Sequence, residues 1–226
     1  MSSFVGIVRV LTTTDPDLLR AHGRQIESHF GLPTRSVCIP DQPHGIHDEE
    51  TERLAVPKII HAARGLAAEG ASAILISCAA DPAVEQLRAE LQIPVIGAGS
   101  ALACVARGLA DRVGVLNLTE GAPGPVRRVL GDAFVGEDSP EGVTNTLDLM
   151  TARGTEAALE AARRLMRSGA RALALACTGY ATIGMAAQVT RHLGIVAVDP
   201  VDAAGLLCWY ALTRMPLLER GGDVER

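Results

Sequence analysis

Two cysteines stand where this chain could do chemistry with its own side chains. Cys78 closes the segment Gly70-Ala71-Ser72-Ala73-Ile74-Leu75-Ile76-Ser77-Cys78, and Cys177 closes Gly169-Ala170-Arg171-Ala172-Leu173-Ala174-Leu175-Ala176-Cys177. Each falls where a buried strand ends and the next helix is about to start. The open N–H groups and partial positive charge of a helix N-terminus favour a thiolate, so the pattern predicts two activated thiols. If the two segments face each other across a cleft, one thiolate can take a proton from a carbon. The second, protonated thiol then returns a proton to the opposite face, and the carbon inverts. Loop N–H groups would hold the adjacent carbonyl as an enolate. That scheme needs no metal and no organic cofactor.

The elements that must position these thiols come as a repeat. Besides the two cysteine blocks, Ile93-Pro94-Val95-Ile96 parallels Ile195-Val196-Ala197-Val198, and Val5-Gly6-Ile7-Val8 parallels Val113-Gly114-Val115-Leu116. Three matched blocks in the same order indicate two copies of one unit. A thiol kept at the same place in both copies separates Cys78 and Cys177 from the other three cysteines. Cys38 in a strand, and Cys104 and Cys208 in apolar helical stretches, read as small core residues.

Aliphatic runs at 5–11, 35–39, 73–77, 94–96, 112–116, 133–135, 172–176 and 195–198 read as buried strands. Amphipathic or apolar stretches at 17–30, 49–69, 83–91, 100–110, 125–130, 145–167 (with a break near Gly154), 182–192 and 201–214 read as helices, followed by a polar tail from 219. Alternation of this kind gives βαβ units and parallel sheets covered on both faces. Asp15-Pro16, Asp81-Pro82 and Asp199-Pro200 each put a carboxylate at an expected N-cap and proline at the first helical position. Those turns lie at the carboxyl ends of strands, where open α/β sheets bind ligands.

Composition excludes other classes. The 226 residues are 48% apolar and 3% aromatic, with 21 basic and 26 acidic side chains for a net charge of −5. The apolar content is too high for disorder. An acidic, aromatic-poor surface argues against nucleic acid or an anionic membrane as partner. No secretory leader and no membrane-spanning run is read, and five scattered cysteines without a CxxC pair fit neither a disulfide scaffold nor a zinc ribbon. The expectation is a cytoplasmic protein with reduced thiols.

The loops Ser77-Cys78-Ala79-Ala80-Asp81-Pro82 and Ala176-Cys177-Thr178-Gly179-Tyr180, set on a duplicated α/β unit, resemble the aspartate/glutamate/hydantoin racemase superfamily. The string from Cys78 through Pro94-Val95-Ile96-Gly97 is most similar to its hydantoin racemase branch, where a Cys-x-x-Asp-Pro turn is usual. The resemblance implies two pseudo-symmetric, duplicated parallel-sheet α/β domains with the active site in the cleft between them. It implies residues 1–98 plus 203–226 as the first domain and 99–202 as the second. It also implies Cys78 and Cys177 as acid and base, a small-molecule substrate, no cofactor, and assembly into a homo-oligomer. Glutamate and aspartate racemases usually carry Asn-Thr after the first cysteine, and glutamate racemases His after the second Cys-Thr. This chain has Ala79-Ala80 and Gly179 instead. Their apolar character points to 5-substituted hydantoins rather than free amino acids. Amino-acid racemisation and maleate isomerase-like chemistry through a covalent cysteine adduct are the enzymatic alternatives, and a metabolite-binding protein without turnover is the non-enzymatic one.

Around the thiols, Thr13 and Thr14 after the first strand, and Asn117 and Thr119 after its repeat partner, are candidate substrate contacts or turn-satisfying groups. Ala79, Ala80, Thr178 and Gly179 join them as loop neighbours of the cysteines. Tyr180 supplies either a phenol at the cleft or packing beneath a helix. Asp81 reads as a cap of the helix that follows it. Gly97-Ala98-Gly99-Ser100 lacks the spacing of a dinucleotide fingerprint. The loop from Asp41 to Asp48, with His44 and His47, reads as a flap over the cleft mouth rather than a metal site. His22 and His29, seven apart on the first helix, read as an exposed or half-buried face without function.

Overall fold

The computed structural model describes residues 3–118 and 121–214. The first half holds β1 (Val5–Arg9), α1 (Pro16–Phe30), β2 (Thr34–Cys38), α2 (Glu49–Ala68), β3 (Ala73–Ser77), α3 (Val84–Glu90) and β4 (Val95–Gly97). After α4 (Ala98–Leu109), the second half holds β5 (Val113–Leu116), α5 (Gly124–Leu130), β6 (Phe134–Asp138), α6 (Thr146–Leu149), α7 (Ala152–Arg167), β7 (Ala172–Leu175), α8 (Gly179–Thr182), α9 (Met185–Leu193) and β8 (Val196–Val198). The described chain closes with α10 (Pro200–Thr213).

All strand pairs are parallel, in two sheets of order β2-β1-β3-β4 and β6-β5-β7-β8. The shared order is the structural form of the sequence repeat. In each sheet the direction of winding reverses between the first and third strands, β1/β3 and β5/β7. Loops leaving the carboxyl ends of strands at such a switch point part from one another and leave a crevice. Cys78 follows β3 and Cys177 follows β7, so both thiols stand at switch points.

The central strands carry side chains buried on both faces: Val5 and Ile7 turn to one core, Val8 and Val10 to another. Helices α2 and α3 cover the outer face of the first sheet, and α7 and α9 the outer face of the second. Between the sheets lie α1, α4 and α10, whose Ile26, Leu102 and Val201 share one core with Ile7, Val115 and Ala174. Although α4 follows the last strand of the first sheet, it packs on β7, while α10 at the end packs back on α1 and β3. The two sheets thus hold each other through exchanged helices. Among the described residues no helix is long and apolar enough to cross a membrane.

Two of the three Asp-Pro turns behave as expected. The Asp15 carboxylate accepts from the Asp17 and Leu18 N–H groups, and Asp199 accepts from Val201 and Asp202. Asp81 differs. Its own helix starts later, behind Ala83, with no side-chain cap. The Asp81 carboxylate instead accepts from the N–H groups of Gly99 and Ser100 at 2.7 and 2.8 Å, capping α4. A positive φ of 51° at Asp81 turns the loop toward that helix. The glycines of 97–100 are explained by the same contact: a Cβ on Gly97 would overlap the Asp81 carboxylate, and one on Gly99 the Ala79 carbonyl.

The expected helix at 145–167 breaks at Met150–Thr151 rather than at Gly154, which lies inside α7 where a Cβ would meet the Asp148 carbonyl. Cys208 is buried and Cys38 half-buried, but Cys104 is exposed on α4, which corrects its reading as a core residue. Apolar composition around it concealed that position 104 falls on the solvent stripe with Arg107 and Gly108. The polar tail from 219 lies outside the described residues.

Candidate active site

Loops from both switch points line one cavity of about 560 Å³ between the halves. Cys78, Ala79 and Ala80 form one wall, and Cys177, Thr178 and Gly179 the facing one. The loops touch directly: Thr178 Oγ1 donates to the Ser77 carbonyl at 3.2 Å. Cys78 is held in a tight turn, its N–H donating to Ile76 and its carbonyl accepting from Asp81. The backing of that turn is the Asp81 cap and the glycine pair behind it.

Cys177 sits just ahead of the single turn α8. Gly179 N–H donates to its Sγ at 3.4 Å, and Tyr180 N–H donates to its carbonyl at 3.1 Å. Both thiols are half-buried, and their acidity runs against the activated thiolates expected from sequence. Burial pushes Cys78 up to about 12, with the Ala80 N–H opposing and the Cys177 and Asp81 charges adding to the rise. Burial also raises Cys177, opposed by hydrogen bonds from Gly179, Thr146 and Tyr180. Desolvation outweighs the loop donors in both cases. For Cys78 the next helix begins only at Val84, six residues on, so the expected helix N-terminus does not directly follow the thiol. Cys177 holds more donors and is the easier of the two to ionise.

Of the other expected contacts, Thr13 and Asn117 line the cavity. Thr14 is exposed and outside the lining, because the chain turns away into the Asp15 cap. Thr119 lies outside the described residues. Tyr180 packs: it is fully buried, and its hydroxyl donates to the Asn117 carbonyl at 2.6 Å. Asn117 N–H donates to Asp138, which fixes its backbone from both sides. The Asn117 side chain is 3% exposed and its Oδ1 has no hydrogen-bond partner. Leaving a buried carbonyl unpaired costs about 1–3 kcal/mol, so this oxygen is set to receive a ligand donor.

The loop from Asp41 to Asp48 contributes residues 43–48 to the cavity wall. Gln42, buried beneath it, donates to the carbonyls of Gly45 and Thr51 at 3.2 and 3.0 Å. His44, His47 and Asp48 line the cavity, and His47 Nδ1 is a second buried atom without a partner. Among the described residues no group of three His, Cys, Asp or Glu stands together as a metal cage.

Several lining residues were not singled out in the sequence. Arg9, at the end of β1, is 3% exposed, and Nη1 donates to the Leu18 and Leu19 carbonyls. Burial lowers it to about 10, which leaves it charged at neutral pH. Glu52 on α2 lines the cavity and is raised by burial and by Glu49. Leu147 and Met150, 50% and 40% exposed, form an apolar rim with Pro123 and Pro125. A lone arginine in a strand and a leucine in the single-turn helix α6 carry no spacing signal. His22 is likewise corrected: it is 1% exposed and bonded to Ser77 and Thr182, while His29 is the exposed partner of Asp202.

A sequence model of the Asp/Glu/hydantoin racemase family matches residues 17–207, a span that includes both cysteine loops. The chain belongs to the Asp/Glu/hydantoin racemase family. It is therefore an enzyme of the racemase class. No curated protein matches the sequence. Among solved structures, the allantoin racemase from Klebsiella pneumoniae superposes with a TM-score of 0.80 at 22% identity, over 97% of this chain and 89% of that one. Allantoin racemase from Pseudomonas fluorescens gives 0.80 at 19% identity, over 94% and 91%. A glutamate racemase from Bacillus anthracis gives 0.71 at 16% identity, over 97% and 83%. At these identities the likeness establishes the racemase fold, two duplicated α/β units with a cleft between them.

Proposed function

We propose that this racemase inverts a carbon next to a carbonyl without a cofactor, by passing protons between Cys78 and Cys177, and that 5-substituted hydantoins are its substrate class. The observation that carries the reading is that the two thiols line one cavity from equivalent switch points of a duplicated fold. In the reactive form of the enzyme, a minor fraction at neutral pH, one sulfur is ionised and the other protonated. The substrate C–H bond breaks as the thiolate gains S–H; the opposite S–H breaks as the new C–H forms on the other face. The roles of the sulfurs are then exchanged, and the reverse reaction restores them. Burial makes the thiolate costly, and it also makes it a strong base, matched to a weakly acidic carbon.

Substrate class is supported by what the walls hold. Ala79, Ala80 and Gly179 carry no polar side chains. The acidic side chains of Asp48 and Glu52 line the same cavity, and the Asp48 carboxylate, held in its charged form by hydrogen bonds from Thr51, repels a dicarboxylate, while the Nη1 of Arg9 is engaged with backbone. The free Oδ1 of Asn117 accepts from an N–H, which a hydantoin ring supplies. Leu147, Met150 and the two prolines give a 5-substituent an apolar rim. Residues 1–98 with 203–226 as one unit and 99–202 as the other belong to the same reading, supported by α10 packing on β3 and α4 on β7.

The test is a chiral panel followed by circular dichroism: single enantiomers of 5-benzylhydantoin, allantoin, aspartate and glutamate. The reading expects loss of optical activity for the hydantoins and none for the amino acids. Turnover of aspartate or glutamate alone would overturn the substrate class.

A further inference from the structure

Behind the two thiol loops lies a buried histidine that the proton transfers do not use. His22 stands on α1 with 1% of its surface exposed. Its Nδ1 is 2.7 Å from Ser77 Oγ and its Nε2 is 3.3 Å from Thr182 Oγ1. Ser77 immediately precedes Cys78, and Thr182 ends the helical turn that follows Cys177. Ser77 and Thr182 line the cavity, whereas His22 does not. It therefore grips both catalytic walls from behind and touches no ligand.

The imidazole is neutral, held so by burial and by the neighbouring Arg9 charge against an opposing backbone contact at Thr178. A neutral ring offers one N–H donor and one bare nitrogen. It can therefore satisfy two hydroxyls at once, donating to one and accepting from the other. Together with the Thr178–Ser77 hydrogen bond, this makes a rigid tie across the cleft at the level of the sulfurs.

We propose that His22 is a positioning residue, which sets the separation of Cys78 and Cys177 so that a carbanion formed at one sulfur is protonated by the other before its first proton returns. This rests on the two-cysteine reading. Misplacing a catalytic group by about 1 Å costs on the order of 100-fold in rate, and a two-base inversion demands correct placement of both sulfurs at once.

The experiment follows single enantiomers of 5-benzylhydantoin in D2O, scoring deuterium gained with inversion and deuterium gained with retention. For H22F the kcat falls about 10- to 100-fold, with KM within about threefold. The ratio of retention to inversion rises at least about fivefold, because a proton lost to one sulfur exchanges before the displaced partner delivers. T182V moves the ratio in the same direction and stands in if H22F does not fold; T182S stays near wild type. The H22F/T182V double variant is no worse than H22F, since both remove one tie. A kcat loss with an unchanged ratio, or full additivity in the double variant, overturns the proposal. C78S and C177S run alongside. If both racemise at the wild-type rate, the parent reading has failed; if both are inactive and the H22F ratio is unchanged, only the role of His22 has. Should wild type invert neither this probe nor allantoin, both fall together.

Discussion

The Tyr180 hydroxyl donates to the Asn117 carbonyl at 2.6 Å, so a side chain next to the Cys177 loop anchors the loop that follows β5. The two residues then divide their labour in a testable way. Y180F leaves the Asn117 carbonyl without that donor and lowers stability by about 1–2 kcal/mol. N117A removes a buried carboxamide whose Oδ1 has no partner, so stability does not fall and rises by up to about 1–3 kcal/mol, while kcat/KM for a hydantoin drops about 10-fold or more. Thermal melts and steady-state kinetics on both variants check the contrast.

Asp81 caps α4 from the Cys78 loop. D81A exposes the Gly99 and Ser100 N–H groups and costs about 1–2 kcal/mol, whereas D81N retains most of the cap. G99A forces a methyl into the Ala79 carbonyl and costs about 1–3 kcal/mol, with a loss of kcat because Ala79 adjoins Cys78. Denaturant titration measures the first effect, and the racemisation rate of G99A the second.

The raised thiols set a pH profile. With Cys78 up to about 12 and Cys177 also raised, the thiolate fraction grows about tenfold per pH unit around neutrality. The kcat/KM of the free enzyme therefore climbs from pH 6 to 9 without a plateau. Stability has the opposite sign. A thiol whose folded pKa exceeds its unfolded value favours the fold below the unfolded pKa, and that contribution is lost as pH rises from about 9 toward 12. Asp199 behaves alike at lower pH: burial holds it at about 6, so its contribution is lost between about 4 and 6, and D199N flattens that part of the curve. Chemical denaturation across pH 4–10 shows both.

Leu147 and Met150 sit on the rim with little to hold structurally. L147A and M150A lower kcat/KM for 5-benzylhydantoin by about 3- to 10-fold. They leave 5-methylhydantoin within about twofold and stability within about 0.5 kcal/mol. A panel of 5-substituents read on each variant decides it.

Much of this architecture was legible from spacing alone. The matched Cys78 and Cys177 blocks exposed the repeat, and short aliphatic runs such as the one in Val5–Arg9, where every residue is buried, exposed the sheets. What spacing concealed was tertiary. Asp81-Pro82 looked like the cap of its own helix, but the donors it meets belong to residues 99 and 100. Arg9 and His22 looked unremarkable because their partners lie on other elements, Leu18 and Leu19 for one, Ser77 and Thr182 for the other. The helix-terminus argument for acidic thiols missed desolvation, which no local pattern encodes.

The two-base account is tested most directly by hydrogen exchange at the reacting carbon in C78S and C177S, with each hydantoin enantiomer supplied separately in D2O. It predicts that both variants lose racemisation by at least about 1,000-fold, and that each still exchanges the proton of one enantiomer only, the two variants choosing opposite hands. Racemisation at the wild-type rate in both variants, or exchange of both hands by a single-cysteine enzyme, would contradict it.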